Sequence, residues 1–207
     1  TLSLPGLHSV AGTVRARDGA LALTGATVYA YPAEGGTAYT YASASATTGQ
    51  FALSNVPAWP VRLRALRVLA ETSGTVYYRG EVPLVVTGDT ADAVALLPFG
   101  TLASPVQRDL WQSTVTQAGT RTLHLVKAPA AGNALDPALE VYGPGGALVA
   151  SNDNVSSSDH NARVTFAVEP GTYTIVVRSA ADTSGSYRLG SASGRLARQA
   201  RIRSRTF

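Results

Sequence analysis

Apolar and polar side chains alternate with a period of two along almost the whole chain, and the apolar positions favour β-branched and aromatic residues. "VAGTVRA", "GATVYAY", "GQFALSNV", "VRLRALRVLA", "TVYYRGEVPLVV" and "DAVALLP" each read as a strand, and Gly, Pro, Asn and Ser supply turns every eight to twelve residues. After Pro98 the rhythm restarts in "RDLWQSTVTQ", "RTLHLVKA", "ALEVYGPGGALVAS", "ARVTFAVEPGTYTIVVRS" and "GSYRLGSAS". No stretch before the C-terminal tail carries a helical stripe. "YGPGGAL" reads as a hairpin turn. "EPGTYTIVV" puts Tyr173, Ile175 and Val177 on one face and Thr172, Thr174 and Val176 on the other.

The punctuated segment "LLPFGTLASP" separates two halves of domain size. The expectation is an all-β chain: one antiparallel sandwich over residues 1–98, a second over 99–193, and an arginine-rich tail over 194–207.

Composition narrows the function classes. No apolar run approaches the roughly 18 residues of a membrane-spanning helix, so no transmembrane segment is expected. The absence of cysteine removes disulfides, thiolate nucleophiles and Cys-ligated metal centres. Cysteine and methionine are both missing, which leaves an oxidant without its usual sulfur targets and suits an exposed location. The sequence starts at Thr1, and removal of an initiator and a signal peptide is expected. The net charge of +4 is concentrated: residues 1–194 hold 12 basic and 13 acidic groups, and Arg195, Arg198, Arg201, Arg203 and Arg205 hold the excess. Nucleic acid is not an expected partner, because the folded part lacks a basic face.

The stretch "SNDNVSSSDHNARV", residues 151–164, packs two carboxylates, three amides, four hydroxyls and an imidazole into one segment. Calcium takes six to eight hard oxygens. Asp153, Asn154, Asp159 and Asn161 offer four side-chain oxygens, Asp136 before the preceding hairpin a fifth, and His160 completes the candidate set. A solvated loop between two strands is the competing reading. The histidines raise another: His124 within "TLHLV", His160 and His8 would have to meet to hold copper or zinc, and copper would bring redox chemistry such as superoxide dismutation. Hydrolytic chemistry lacks a nucleophile elbow, and "DTSG" at 182–185 is one residue too long for the aspartic-protease motif it approaches.

Tyr29 and Tyr31 share one parity and Tyr39 and Tyr41 have the matching parity on the next strand, with "PAEGG" between the pairs. A hairpin there places four rings on an outer face while Val28 and Ala30 turn to the core. Such a face stacks on a sugar, a pigment or a partner strand, or stabilises the sheet alone. The five tail arginines have mixed helical and strand spacing and would suit an acidic partner or an anionic envelope lipid or polymer.

On "VAGTVRARDG", "LTGATVYAY", "ATTGQFALSNVP" and "VRLRALR", residues 9–97 resemble the carboxypeptidase regulatory-like domain, a transthyretin-type sandwich. That resemblance implies a seven-strand Greek key without catalytic residues of its own. On "RDLWQSTVTQAGT", "LDPALEVYGPGGALVASNDN" and "ARVTFAVEPGTYTIVVRSAADTSGSYRL", the second half is similar to the bacterial pre-peptidase C-terminal domain. This second resemblance implies a Greek-key or jelly-roll-type sandwich of secreted and surface proteins, some of which bind calcium. Asn152 and Asn154 flank Asp153 where an acidic pair is common in that family.

The expected function is that of a non-catalytic, extracytoplasmic bacterial binding or scaffold module. Its partners would be other cell-envelope proteins or surface polymers such as glycans. The competing classes are a His-ligated copper or zinc surface enzyme of superoxide dismutase type, and accessory domains of a secreted peptidase.

Overall fold

Among the described residues the alternating segments become fifteen strands and no helix, in a computed structural model that describes residues 6–16, 19, 25–71 and 74–192. The chain divides into two compact units: one holds residues up to Arg67 together with Arg79–Leu97, and the other holds Val68–Tyr78 together with Pro98 onward. The predicted division at residue 98 placed Val68–Tyr78 with the first sandwich, whereas in the structure this hairpin tip counts with the second unit. The five tail arginines, Arg195, Arg198, Arg201, Arg203 and Arg205, lie outside the described residues.

The first unit contains β1 (Leu7–Arg15), β2 (Thr27–Pro32), β3 (Thr40–Ser43), β4 (Gln50–Pro57) and β7 (Thr90–Leu96), with the near parts of β5 (Pro60–Glu71) and β6 (Gly74–Val85). One sheet has the order β4-β1-β7, and the other runs β6-β5-β2-β3. Buried Val10, Val14, Phe51 and Leu53 of the first sheet, with Val28, Ala30, Val61, Leu63 and Ala65 of the second, form the apolar interior. The inward positions Val28 and Ala30 of β2 and Val61, Leu63 and Ala65 of β5 recur at every second residue, as the period requires. The antiparallel expectation fails at one place: β1 and β7 pair in parallel. The preceding strand β6 lies in the other sheet, so the chain crosses between layers before β7 and no tight hairpin dictates its direction. Near its end at Pro57, β4 carries a bulge. Asn55 takes φ 59°, and the register with β1 shifts between His8 and Val10.

The second unit contains β8 (Phe99–Leu102), β9 (Asp109–Val115), β10 (Gly119–Lys127), β11 (Pro137–Tyr142), β12 (Leu148–Asn152), β13 (Ala162–Val168), β14 (Gly171–Ser179) and β15 (Gly185–Ser191). One sheet has the order β12-β11-β14-β9, and facing it β10 lies between β13 and β15. Strand β15 also pairs with β8 and, through Ser191 and Tyr77, with the tip of β6. Trp111, Leu123, Leu125, Leu139, Val141, Tyr173, Ile175, Val177 and Leu189 fill the space between the sheets. Through this core runs a polar chain. Trp111 Nε1 donates to Tyr187 Oη at 2.9 Å, and that hydroxyl donates to Asp109 Oδ2 at 2.6 Å. Gly100 makes room for it, since a β-carbon there would lie 2.6 Å from the hydroxyl oxygen.

Strand β10 is buried on both faces, with Leu123, His124, Leu125 and Val126 all inaccessible. The face opposite the core is covered by the hairpin tip. A β-carbon at Gly190 would stand 2.5 Å from Val76 Cγ1 and 2.9 Å from Tyr78 Cδ1, and the Tyr78 ring meets Phe99 edge-on at 5.4 Å. Arg188 Nη2 binds Glu71 at 2.9 Å, and Tyr78 Oη donates to the same carboxylate at 2.6 Å.

Deleting the hydroxyl that joins Trp111 to Asp109 removes two buried hydrogen bonds. Tyr187→Phe is therefore expected to cost about 1–3 kcal/mol of stability. Denaturant unfolding with an unchanged slope and a lowered midpoint is the expected result, and an unshifted midpoint contradicts the role given to this chain.

Candidate functional site

Strand β2 alternates Val28 and Ala30 inward with Tyr29 and Tyr31 outward, and β3 places Tyr41 directly opposite Tyr29. The rings of Tyr29 and Tyr41 lie 5.6 Å apart, and those of Tyr29 and Tyr31 5.9 Å apart. Tyr41 is 69% exposed and forms the outer edge of this group. Tyr39 precedes β3, and its hydroxyl accepts a hydrogen bond from Trp59 Nε1 at 3.0 Å. Both of those rings are exposed, at 38% and 45%. Sequence reading missed Trp59. Its flanking prolines mark a turn, and nothing in the local pattern ties residue 59 to residue 39.

Beneath the tyrosines lies a charged layer contributed by β5 and β6. Arg64 pairs with Tyr29 across the β2–β5 ladder and Arg62 with Tyr31. The Arg64 guanidinium sits 4.1 Å from the centre of the Tyr31 ring and forms an ion pair with Glu81. Arg62 Nη1 stands 3.9 Å from the other Glu81 oxygen. Arg79 joins the same neighbourhood: burial, then repulsion from Arg64, lowers its pKa, while Glu81, Tyr31 and Tyr29 oppose the shift. Alternation marks these arginines only as strand residues and does not say that the guanidiniums of Arg62 and Arg64 meet at one carboxylate.

The oxygen-rich segment after β12 is largely consumed by its own backbone. Val155 N–H donates to the carbonyls of Asp159 and Asn161, and Ser156 and Asp159 form an isolated bridge. Asp159 Oδ1 accepts from the backbone and side-chain nitrogens of Asn161, at 3.1 and 2.7 Å. Asn161 Oδ1 in turn accepts from Lys127 N–H at 2.8 Å. Asp153 and His160 point to the surface. Asp136 and Asn154 differ from these: each has a buried Oδ1 with no hydrogen-bond partner. They flank the same end of the β11–β12 ladder, Asp136 just before Pro137 and Asn154 two residues past Asn152, whose partner is Leu139.

The three histidines lie on different elements of the chain. His8 in the first unit stands 3.6 Å from Asp89, His160 is exposed in its loop, and His124 is 2% exposed. His124 lies across from Arg163 on β13 and Gly190 on β15. Among the described residues no three His, Cys, Asp or Glu side chains stand together as metal ligands. The copper or zinc set therefore finds no assembled centre among them.

No family model matches the chain and no curated protein matches it. Among solved structures, the pre-peptidase C-terminal domain of a Bacillus anthracis collagenase is 14% identical, covering 44% of this chain and 85% of that one with a TM-score of 0.34. The Bacillus anthracis TIE protein is 13% identical over 88% of this chain and 31% of its own, with a TM-score of 0.29. The chain thus spans about a third of the TIE protein. The first of these carries the family name suggested by residues 108–189. The resemblance of residues 9–97 to the carboxypeptidase regulatory-like domain has no counterpart in these comparisons. At such scores neither likeness assigns a family or a function.

Burial, and then the nearby Arg163, lowers the pKa of His124 below 6.5, while Glu71 opposes the shift. The unfolded chain therefore binds this proton more readily than the folded one. The contribution is nil at neutral pH and becomes destabilising as pH falls below about 6.5, levelling off below the folded-state pKa. His124→Gln is expected to reduce the slope of stability against pH between 7 and 5. Urea midpoints measured across that range would show it, and parallel profiles for the two proteins contradict it.

Proposed function

We propose that this chain is a non-catalytic binding module of an extracytoplasmic bacterial surface, with the tyrosine face of the first unit as its contact surface. The observation that carries this reading is the outward cluster of Tyr29, Tyr31 and Tyr41, held 5.6–5.9 Å apart over a buried ion pair. Aromatic rings on a sheet's outer face offer large contact area at low entropic cost, which suits recognition of surface polymers or envelope proteins. A chain without cysteine or methionine is consistent with exposure to oxidants, and among the described residues no helix is long and apolar enough to cross a membrane. A role as an accessory module beside a secreted peptidase is compatible with the same surface. Tyr29→Ala combined with Tyr41→Ala is expected to weaken co-sedimentation with purified bacterial envelope fragments by on the order of tenfold. Tyr142→Ala on the second unit serves as the control, and undiminished binding by the double variant refutes the reading.

A second reading concerns calcium, favoured by the two buried oxygens of Asp136 and Asn154 that have no hydrogen-bond partner. A buried carboxylate oxygen without a donor is costly, and a hard cation would satisfy both oxygens. In this reading Asp136 and Asn154 hold the ion, while Asp159 closes the loop and Asp153 stays at the surface. Calcium at about 100 times its Kd would then stabilise the protein by about 2.7 kcal/mol. A thermal-shift titration should lose that gain in Asp136→Ala and keep it in Asp153→Ala. No shift in the unmodified protein removes calcium from the account.

A further inference from the structure

The tyrosine face carries a redox chemistry that a binding role does not use. Without cysteine or methionine the chain holds no sulfur to intercept a one-electron oxidant, and phenol and indole rings become its most easily oxidised side chains. Tyr41 is 69% exposed and stands directly opposite Tyr29 on the β2–β3 ladder, with ring centres 5.6 Å apart and planes tilted by 36°. Rings this close meet through their edges, where the Cε carbons beside the hydroxyl lie. Strand β3 ends its sheet, and an exposed side chain there turns on a picosecond-to-nanosecond scale, so the two ring edges meet repeatedly. Tyr31 is placed differently. Its ring centre is 5.9 Å from that of Tyr29, but the Arg64 guanidinium sits 4.1 Å above it, and a cation over a ring opposes removal of an electron. Tyr39 is turned to Trp59, whose Nε1 donates to its hydroxyl at 3.0 Å.

We propose that Tyr29 and Tyr41 form an oxidative modification site, at which a haem peroxidase with hydrogen peroxide makes a cross-strand dityrosine. Each phenol gives up one electron and its hydroxyl proton, and the two ring radicals join through a Cε–Cε bond. The hydrogens on those two carbons then move to the oxygens and restore both phenols. The peroxide takes up the two electrons and two protons, its O–O bond breaks, and it leaves as two waters. The new bond ties edge strand β3 to β2. This goes beyond the surface-module reading and depends on no ligand.

The test treats the full chain, in dilute solution, with a haem peroxidase and hydrogen peroxide, and free tyrosine under the same conditions shows that coupling occurs. Trypsin leaves residues 18–62 as one peptide, and a glutamate-specific protease divides it after Glu34, between Tyr31 and Tyr39. Dityrosine fluorescence is expected in the monomer. Peptides 18–34 and 35–62 should be joined with the loss of two hydrogens, and fragment ions should place the bond at Tyr29 and Tyr41. The signal should be lost in Tyr41→Phe and in Tyr29→Phe and kept in Tyr31→Phe and Tyr142→Phe, with thermal melts establishing that all four variants fold. A chain that stays uncoupled while free tyrosine couples overturns the proposal. So does a bond at Tyr31 or Tyr39, fluorescence that survives Tyr41→Phe, coupling found only in covalent dimers, or oxidation that stops at Trp59 with the peptides unjoined.

Discussion

A carboxylate taken out of water must be paired, and two glutamates of the β5–β6 hairpin impose that condition on this protein. Glu81 and Glu71 are both largely inaccessible, and each is met by an arginine that stands over a tyrosine ring: Arg64 with Tyr31, and Arg188 with Tyr78. Unpaired, either buried charge would cost several kcal/mol. Paired, it fixes the position of the ring above its arginine. In the first unit that arrangement sets up the outward tyrosine face. In the second it fastens the hairpin tip over β10 and β15, and burial together with the hydrogen bond to Glu71 pushes the Tyr78 hydroxyl far above the ordinary range.

This second fastening explains the fate of His124. An imidazole on the outer face of a two-layer sandwich would normally meet solvent. Here that face carries its own cover of Val76, Tyr78 and Phe99, and burial, then the nearby Arg163, lowers the pKa of the ring. Which strands lie beside His124 is something no local feature of "TLHLV" reveals.

The oxygen-rich segment shows the same distinction between residue type and residue role. Asp159 and Asn161 have the chemistry of calcium ligands, yet a bend between β12 and β13 needs donors and acceptors to close, and these side chains fill that need. The oxygens left over belong to Asp136 and Asn154, brought to one end of the ladder by the register of β11 and β12. Among the tyrosines, parity correctly put Tyr29 and Tyr31 outside, and the β2–β3 ladder brought Tyr41 to them. Tyr39 instead met Trp59, because it lies ahead of β3.

Alternation of apolar and polar side chains decided the all-β class, the inward faces of β2, β5 and β14 and the glycine-rich β11–β12 hairpin, since each of these is a local consequence of a two-residue period and turn chemistry. The sequence also showed that the excess charge resides in the tail. Tertiary structure alone decided the parallel pairing of β1 with β7, the allocation of Val68–Tyr78 to the second unit, the burial of His124 and the meeting of Arg62 and Arg64 at Glu81. Each of these depends on which distant strands become neighbours. Long-range pairing is chosen by the burial and charge balance of the whole fold, and a period of two carries no record of it.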